Sequence, residues 1–138
     1  MATLTKFHCF VEDLAEKVHN LGSDQLAVAL CASANAPTTS NTVLANLTQI
    51  SYTNLSSRNI TTTSSSQTSG AYKLVLADLT LSASGGSVAP FRYVVVYNDT
   101  STSDSLIGFA DYGSDLTLAT GESIVLDFDG SAGAIAIS

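Results

Sequence analysis

The hydrophobic period of this chain changes once, at Gly22, and that change constrains the fold more than any other feature. Before it, Phe7, Phe10, Val11, Leu14, Val18 and Leu21 recur at steps of three and four. Such spacing puts them on one stripe of a helix. It predicts an amphipathic helix over residues 5–21, with Thr5 as N-cap and Gly22 as the left-handed stop. Glu12, Asp13, Glu16, Lys17 and Asn20 form its wet face. After Gly22 the period is two. Leu26, Val28 and Leu30 alternate with Ala27, Ala29 and Cys31, a strand whose second face is small rather than polar. Something must pack closely over that face, and the N-terminal helix is nearest in sequence.

The period of two persists to the C-terminus, broken by turn residues. Val43, Leu47 and Ile50 fit either helical turns or an irregular strand. The run Ser64-Ser65-Ser66-Gln67-Thr68-Ser69-Gly70 is either a mobile hairpin tip or an edge strand with a solvated face. Tyr72, Leu74 and Leu76 share a face, but Leu79 and Leu81 fall on the other, which predicts a β-bulge near Ala77-Asp78. Residues 91–97 are apolar on both faces and read as a central strand. Residues 106–112 and 116–118 read as two short strands parted by Gly113-Ser114-Asp115. Residues 124–128 and 134–137 read as a terminal hairpin across Asp129-Gly130. One helix followed by seven or eight short strands predicts a mainly β fold, an antiparallel β-sandwich or barrel with one N-terminal amphipathic α-helix. The 138 residues suit a single domain, 1–138, with the helix at 5–21 and the β part at 25–138. Its core should include Phe10, Leu14, Val28, Leu76, Val95 and Leu126.

Composition limits what such a domain does. Only 12% of residues are charged, and 36 Ser and Thr supply the missing polarity. The net charge of −7 is lopsided: residues up to Lys73 balance, whereas Arg92 stands alone against eight acids from Leu74 onward. Five scattered cations cannot displace counterions from nucleic acid, nor form a polybasic lipid site, so neither partner is expected. No apolar run reaches the ~20 residues of a membrane span. The first ten residues lack a basic segment followed by an apolar one, so no secretory signal is read there and synthesis in a cytoplasm is expected. Cys9 and Cys31 are accordingly read as buried thiols, and the Asn46, Asn54, Asn59 and Asn98 sequons as unglycosylated.

Catalytic and metal chemistry find little support. His8, Glu12, Glu16 and His19 are spaced four, four and three apart, which a helix would bring to one side, but Glu12 and Glu16 also belong to any wet helix face. Asp127-Phe128-Asp129-Gly130 opens like a calcium loop, yet position twelve is Ser138 rather than Glu. Asp99 and Asp104 share a loop and would at most ligate Ca²⁺ weakly. No Gly-x-Ser-x-Gly elbow or phosphate-cradling loop occurs. The expectation is a non-enzyme with no catalytic residues, no metal and no cofactor.

Several stretches, taken together, resemble a family of small tailed-phage virion structural proteins. They are residues 6–20 (KFHCFVEDLAEKVHN), 22–30 (GSDQLAVAL), 41–50 (NTVLANLTQI), 64–70 (SSSQTSG), 72–78 (YKLVLAD), 90–93 (PFRY), 97–100 (YNDT) and 111–113 (DYG). The resemblance runs nearly end to end. It implies a structural role in the phage particle, placed best on the head exterior as a capsid decoration or cement protein. The implied partners are the major capsid protein, or another virion protein, and further copies of the chain as a homo-oligomer. A tail-tube, head–tail or head-fibre protein and a carbohydrate-binding β-sandwich module are the alternatives. The charge split assigns capsid contact to the uncharged Ala2, Thr3 and Leu4 with the neutral first half, and leaves the acidic half in solvent.

Overall fold

Strand β2 (Leu26–Cys31) is buried along its whole length, and the rest of the architecture follows from covering both of its faces. The computed structural model describes residues 4–138. Besides β2 it contains β1 (Thr5–Lys6), helix α1 (Cys9–Ala15), β3 (Asn59–Ile60), β4 (Thr62–Thr68), β5 (Ala71–Leu76), β6 (Leu79–Ser82), β7 (Phe91–Asn98), β8 (Leu106–Leu116), β9 (Ser123–Leu126) and β10 (Ile135–Ile137). A five-stranded sheet runs β1-β8-β7-β2-β3, a three-stranded one β10-β5-β4, and β6 pairs with β9. Every pairing is antiparallel. The fold is mainly β with one helix, arranged as facing sheets rather than a closed barrel.

Leu26, Val28 and Leu30 of β2, Val94 and Val96 of β7 and Ile107 of β8 meet Leu74, Leu76, Leu81 and Leu126 from the opposing strands, with Phe128 just past β9. The reverse face of the same sheet presents Ala27, Ala29, Cys31, Tyr93, Val95, Tyr97 and Leu106. Of the expected core, Phe10, Val28, Leu76, Val95 and Leu126 are buried, but Val95 belongs to this second cluster, and Leu14 is half-buried. The helix touches the small face only through its first residue, Cys9, while Phe10 and Leu14 join the other cluster. Leu44 and Leu47, from the long connection after β2, pack on it with Phe7, Cys9 and Phe109. The connection includes short 3₁₀ turns at Ser33–Asn35 and Leu44–Asn46, and Val43 bridges Ser105. Farther on, Ile50 N donates to Leu30 O (3.0 Å), and Leu30 N donates to the Tyr52 hydroxyl (3.0 Å). Arg58 lies over the Tyr52 ring at 3.7 Å and donates to Val28 O (2.7 Å). The segment thus wraps the edge of β2 left open beyond its short pairing with β3 and satisfies its backbone.

The helix is shorter than its stripe predicts. Thr5 and Lys6 pair with Phe109 and Gly108 as β1, which removes Thr5 from any capping role; His8 is the N-cap. A Cβ at Gly108 would sit 3.1 Å from Thr5 O, so glycine there lets the short strand approach. The left-handed stop falls at Lys17 (φ 69°), not Gly22. Val18 N donates to Asp13 O (2.8 Å) and Lys17 N reaches Leu14 O (3.5 Å), the paired bonds of a Schellman ending.

Three strand expectations change as well. The phase shift at Ala77-Asp78 is not a bulge but the point where the chain leaves the β5 sheet for the β6–β9 pair. Register irregularities lie instead in β4, between Thr62 and Ser64 opposite the end of β5, and in the pairing of β7 with β8, which is one continuous strand. Tyr93 pairs with Asp111 and Phe91 with Leu116, so residues 112–115 bulge opposite Arg92 alone. Arg92 grips the bulge through both Asp111 oxygens (2.7 and 3.0 Å). The terminal segments do not form a hairpin: β9 pairs with β6, and β10 with β5. Asp129 Oδ1 accepts from the backbone N–H groups of Ser131 and Ala132 and steers the chain between them. The serine run is an edge strand, β4, joined to β5 by a tight turn with Ser69 (φ 52°) and Gly70 (φ 84°) at its centre.

Candidate functional site

Among the described residues three of the four exposed large hydrophobic side chains lie on or beside α1 and β10, and the fourth, Val125, is on β9. Large hydrophobic side chains left in water include Val11 (53% exposed), Val18 (37%) and Ile137 (45%). They border two adjoining grooves. One, about 430 Å³, runs between α1 and β10 and is lined by Leu4, Lys6, Phe10, Val11, Leu14 and the residues of β10. The other, about 620 Å³, lies past the helix end between Leu14, Val18, Leu21, Tyr72 and Ile137. Both exist because the helix stops at Ala15 and turns away, leaving half of its apolar stripe without a covering element. Lys6, Lys17 and Asp24 are their charged lining residues, and none of the eight acids from Leu74 onward lines either one. Glu12 and the C-cap Glu16 stay exposed, and a hydrogen bond from one carboxyl to the other, with their mutual repulsion, raises the Glu16 carboxyl above its ordinary value.

Of the three residues assigned to capsid contact, Leu4 lines the first groove. Ala2 and Thr3 lie outside the described residues. The four candidate ligands on the helix are not brought together. His8, Glu12 and Glu16 are exposed, whereas His19 follows the helix and is buried. Among the described residues no group of three or more His, Cys, Asp or Glu is placed to hold a metal ion. Asp129 spends its carboxylate on its own turn, and those bonds lower its pKa. Asp99 and Asp104 anchor their loop through the backbone, to Gln25 and Leu44. Both cysteines are free thiols. Cys31 is buried and pushed up to about 11 by that burial, and Cys9 is half-buried. No helix among the described residues is long and apolar enough to cross a membrane.

One cluster went unread in the sequence. At the wall of the second groove His19 is 5% exposed, and Asn98, the last residue of β7, is fully buried. Asn98 Nδ2 lies 3.0 Å from His19 Nδ1 and 2.6 Å from Asp24 Oδ2. Asp24 Oδ2 also accepts from Asn20 N (2.8 Å), and Asn98 Oδ1 accepts from Thr100 N and Ser101 N. Burial holds the His19 imidazole below its ordinary pKa, although Asp13 and Asp24 pull the other way. A signal for the cluster existed: Asn98 ends an otherwise apolar strand, where an unpaired amide would be costly.

Compared with family models, curated proteins and solved structures, the chain matches none.

Proposed function

We propose that the protein is a non-enzymatic structural component of a tailed-phage virion that decorates the outside of the capsid. The family resemblance of the sequence supports the virion role. The observation that carries the attachment is the apolar face around α1, where Val11, Val18 and Ile137 lie open beside two grooves and the half-buried Leu4 lines one of them. A decoration protein needs one such face per copy and gains the rest of its hold from many copies on one shell. The acids of the second half keep clear of the grooves, so attachment there does not bury them. Burying eight carboxylates would demand matching cations and a desolvation cost that only well-paired charges offset. Facing water, their repulsion between crowded copies is screened over about 8 Å at physiological salt.

Copy number in purified particles tests the role. A decoration protein approaches the copy number of the major capsid protein. Recovery with tails detached from heads, or glycan binding without any capsid, overturns it. For the surface, Val11→Asp and deletion of residues 1–4 should each weaken binding to undecorated heads by about tenfold or more per site. Neutralising Asp99 and Asp104 should leave binding unchanged. Binding that survives the first changes, is lost with the second and falls steeply with salt would place the contact on the acidic half.

A further inference from the structure

The side-chain amide of Asn98 has an orientation fixed by chemistry. Its Oδ1 faces two backbone N–H groups, those of Thr100 (3.0 Å) and Ser101 (3.1 Å), so that atom must be the oxygen. Nδ2 therefore donates both of its hydrogens, one to Asp24 Oδ2 and one to His19 Nδ1. His19 Nδ1 must then carry a lone pair, which makes the ring neutral with its proton on Nε2. That Nε2 is buried with no hydrogen-bond partner among the described residues. Neither orientation of the Asn98 amide accommodates a second proton on the ring. An N–H at Nδ1 would point at the N–H of Asn98. Reversing the amide would turn its oxygen on the Asp24 carboxylate and its NH₂ on the two backbone donors.

The groups facing the ring can be named element by element. From α1 come Asp13 and, tilted against the imidazole at 5.4 Å, the Phe10 ring. The turn after the helix supplies Asp24, with Lys17 at the groove rim. From β7 comes the uncharged Asn98. Across the groove, β4, β5 and β10 offer the Ser65–Tyr72 hydroxyl pair (2.7 Å) and Ile137, none of them charged at neutral pH. Asp13 and Asp24 favour the imidazolium, and burial outweighs them.

Two loops meet at this point. Asp99 N donates to Gln25 O (2.9 Å), and Gln25 N to the Thr100 hydroxyl (2.8 Å). Ser101 Oγ donates to Asn98 O and accepts from Ser105 N, closing the second loop on itself. We propose that His19, Asn98 and Asp24 form an acid-released latch, which locks residues 20–25 to residues 98–105 while His19 is neutral and lets both loops go when it is protonated. The proton comes from solvent and adds to Nδ1. The hydrogen bond from Asn98 Nδ2 breaks, and the amide loses the pair of acceptors that held its plane. Released, the 20–25 turn no longer fixes the wall of the second groove, which makes the groove's shape dependent on pH. The latch stands whether or not the virion reading holds.

The sign follows from linkage. A base whose folded pKa is lowered binds fewer protons folded than unfolded, so acid favours the opened form from about pH 6.5 downward. Imidazole ¹⁵N spectra of the full chain should show the Nε2–H tautomer of His19 at about pH 8, and a titration midpoint below about 6.5. Hydrogen-exchange protection of the Thr100, Ser101 and Gln25 amides should fall about tenfold or more along that titration, while Val95 and Ala29 hold. His19→Asn keeps an acceptor oxygen near Nδ1 and cannot titrate, so its protection should be flat with pH. An Nδ1–H tautomer, protection unchanged through the titration, or the same acid loss in His19→Asn would each overturn the latch. Should the variant not fold, the wild-type tautomer and site-resolved titration decide alone.

Discussion

The two faces of the five-stranded sheet are both dry, yet they are kept dry by different means. One is covered by strands, and its residues are branched and large: Leu26, Val28, Leu30, Val94, Val96, Ile107. The other is covered by a long irregular segment, and β2 offers it Ala27, Ala29 and Cys31. Strands that cover a face bring a backbone already paired within their own sheet. An irregular segment does not, and its peptide groups must find partners one by one. That is what the side chains of the 42–58 stretch supply. Asn46 Oδ1 accepts from Thr42 N and Val43 N, and the Tyr52 hydroxyl and Arg58 guanidinium close the edge of β2. A loop tied down this way must lie close, and small residues beneath it are the geometric consequence. Stability on the first face therefore rests on apolar volume, and on the second on fit and hydrogen bonding.

The largest effect expected of this difference is on the strand-covered face. Leu126→Ala empties part of a fully buried site between rigid strands that cannot collapse into the gap. It should cost about 2–5 kcal/mol, read from the denaturant midpoint. A loss under about 1 kcal/mol would mean that this core relaxes as readily as a loop. On the other face the damaging change is the opposite one. Ala29→Leu adds volume under Leu44 and Leu47, and overpacking should cost about 1–3 kcal/mol. If the larger residue is neutral, the loop does not lie close for steric reasons and the comparison fails there. Arg58→Ala comes third. It removes a charged donor from Val28 O and the cation over Tyr52, for about 1–2 kcal/mol. Arg58→Lys should recover only part of this, because an ammonium cannot both stack on the ring and reach the carbonyl as a planar guanidinium does.

The sequence announced the two dry faces but not their covers. Alternation of large and small residues in β2 required a close-packed partner, and residues 91–97 read correctly as a central strand because both of their faces are apolar. Nearness in sequence then suggested the helix as the cover, but the helix reaches that face only through Cys9, and Leu44 and Leu47 come from the connection after β2. The stripe from Phe7 to Leu21 kept a helical period, but pairing with β8 claimed Thr5 and Lys6, and Lys17 adopted the left-handed stop without being glycine. Local pattern carries no record of such long-range competition. The β9–β10 hairpin failed for the same reason, since alternation specifies that a strand exists and not which strand it joins. At the candidate site, Leu4 lines the first groove, which no local pattern in the sequence marked. The His19–Asn98 bond spans 79 residues and the Asp24–Asn98 bond 74, so no local spacing marks them.

The smallest effect is a rate rather than a stability, and it asks whether the two faces open together. Cys31 lies under the loop-covered face, wholly buried, with its thiol raised to about 11 by burial. At pH 8 about one such thiol in a thousand is ionised, so alkylation of the native state has to wait for an opening. Two openings would serve. The 32–58 segment can lift while the sheets stay joined, or the whole domain can unfold. A cover held by discrete hydrogen bonds can detach locally, whereas interlocked strands come apart only with the core. Labelling located at Cys31 by mass spectrometry should therefore run faster than global unfolding allows. Arg58→Ala should speed it by more than its loss of global stability accounts for, because the lost bonds belong to the cover. Leu126→Ala should speed it only in step with that variant's global stability. Should both variants shift labelling in strict proportion to global stability, the loop and the sheets are one cooperative unit, and the difference between the faces is one of composition without any difference in how they open.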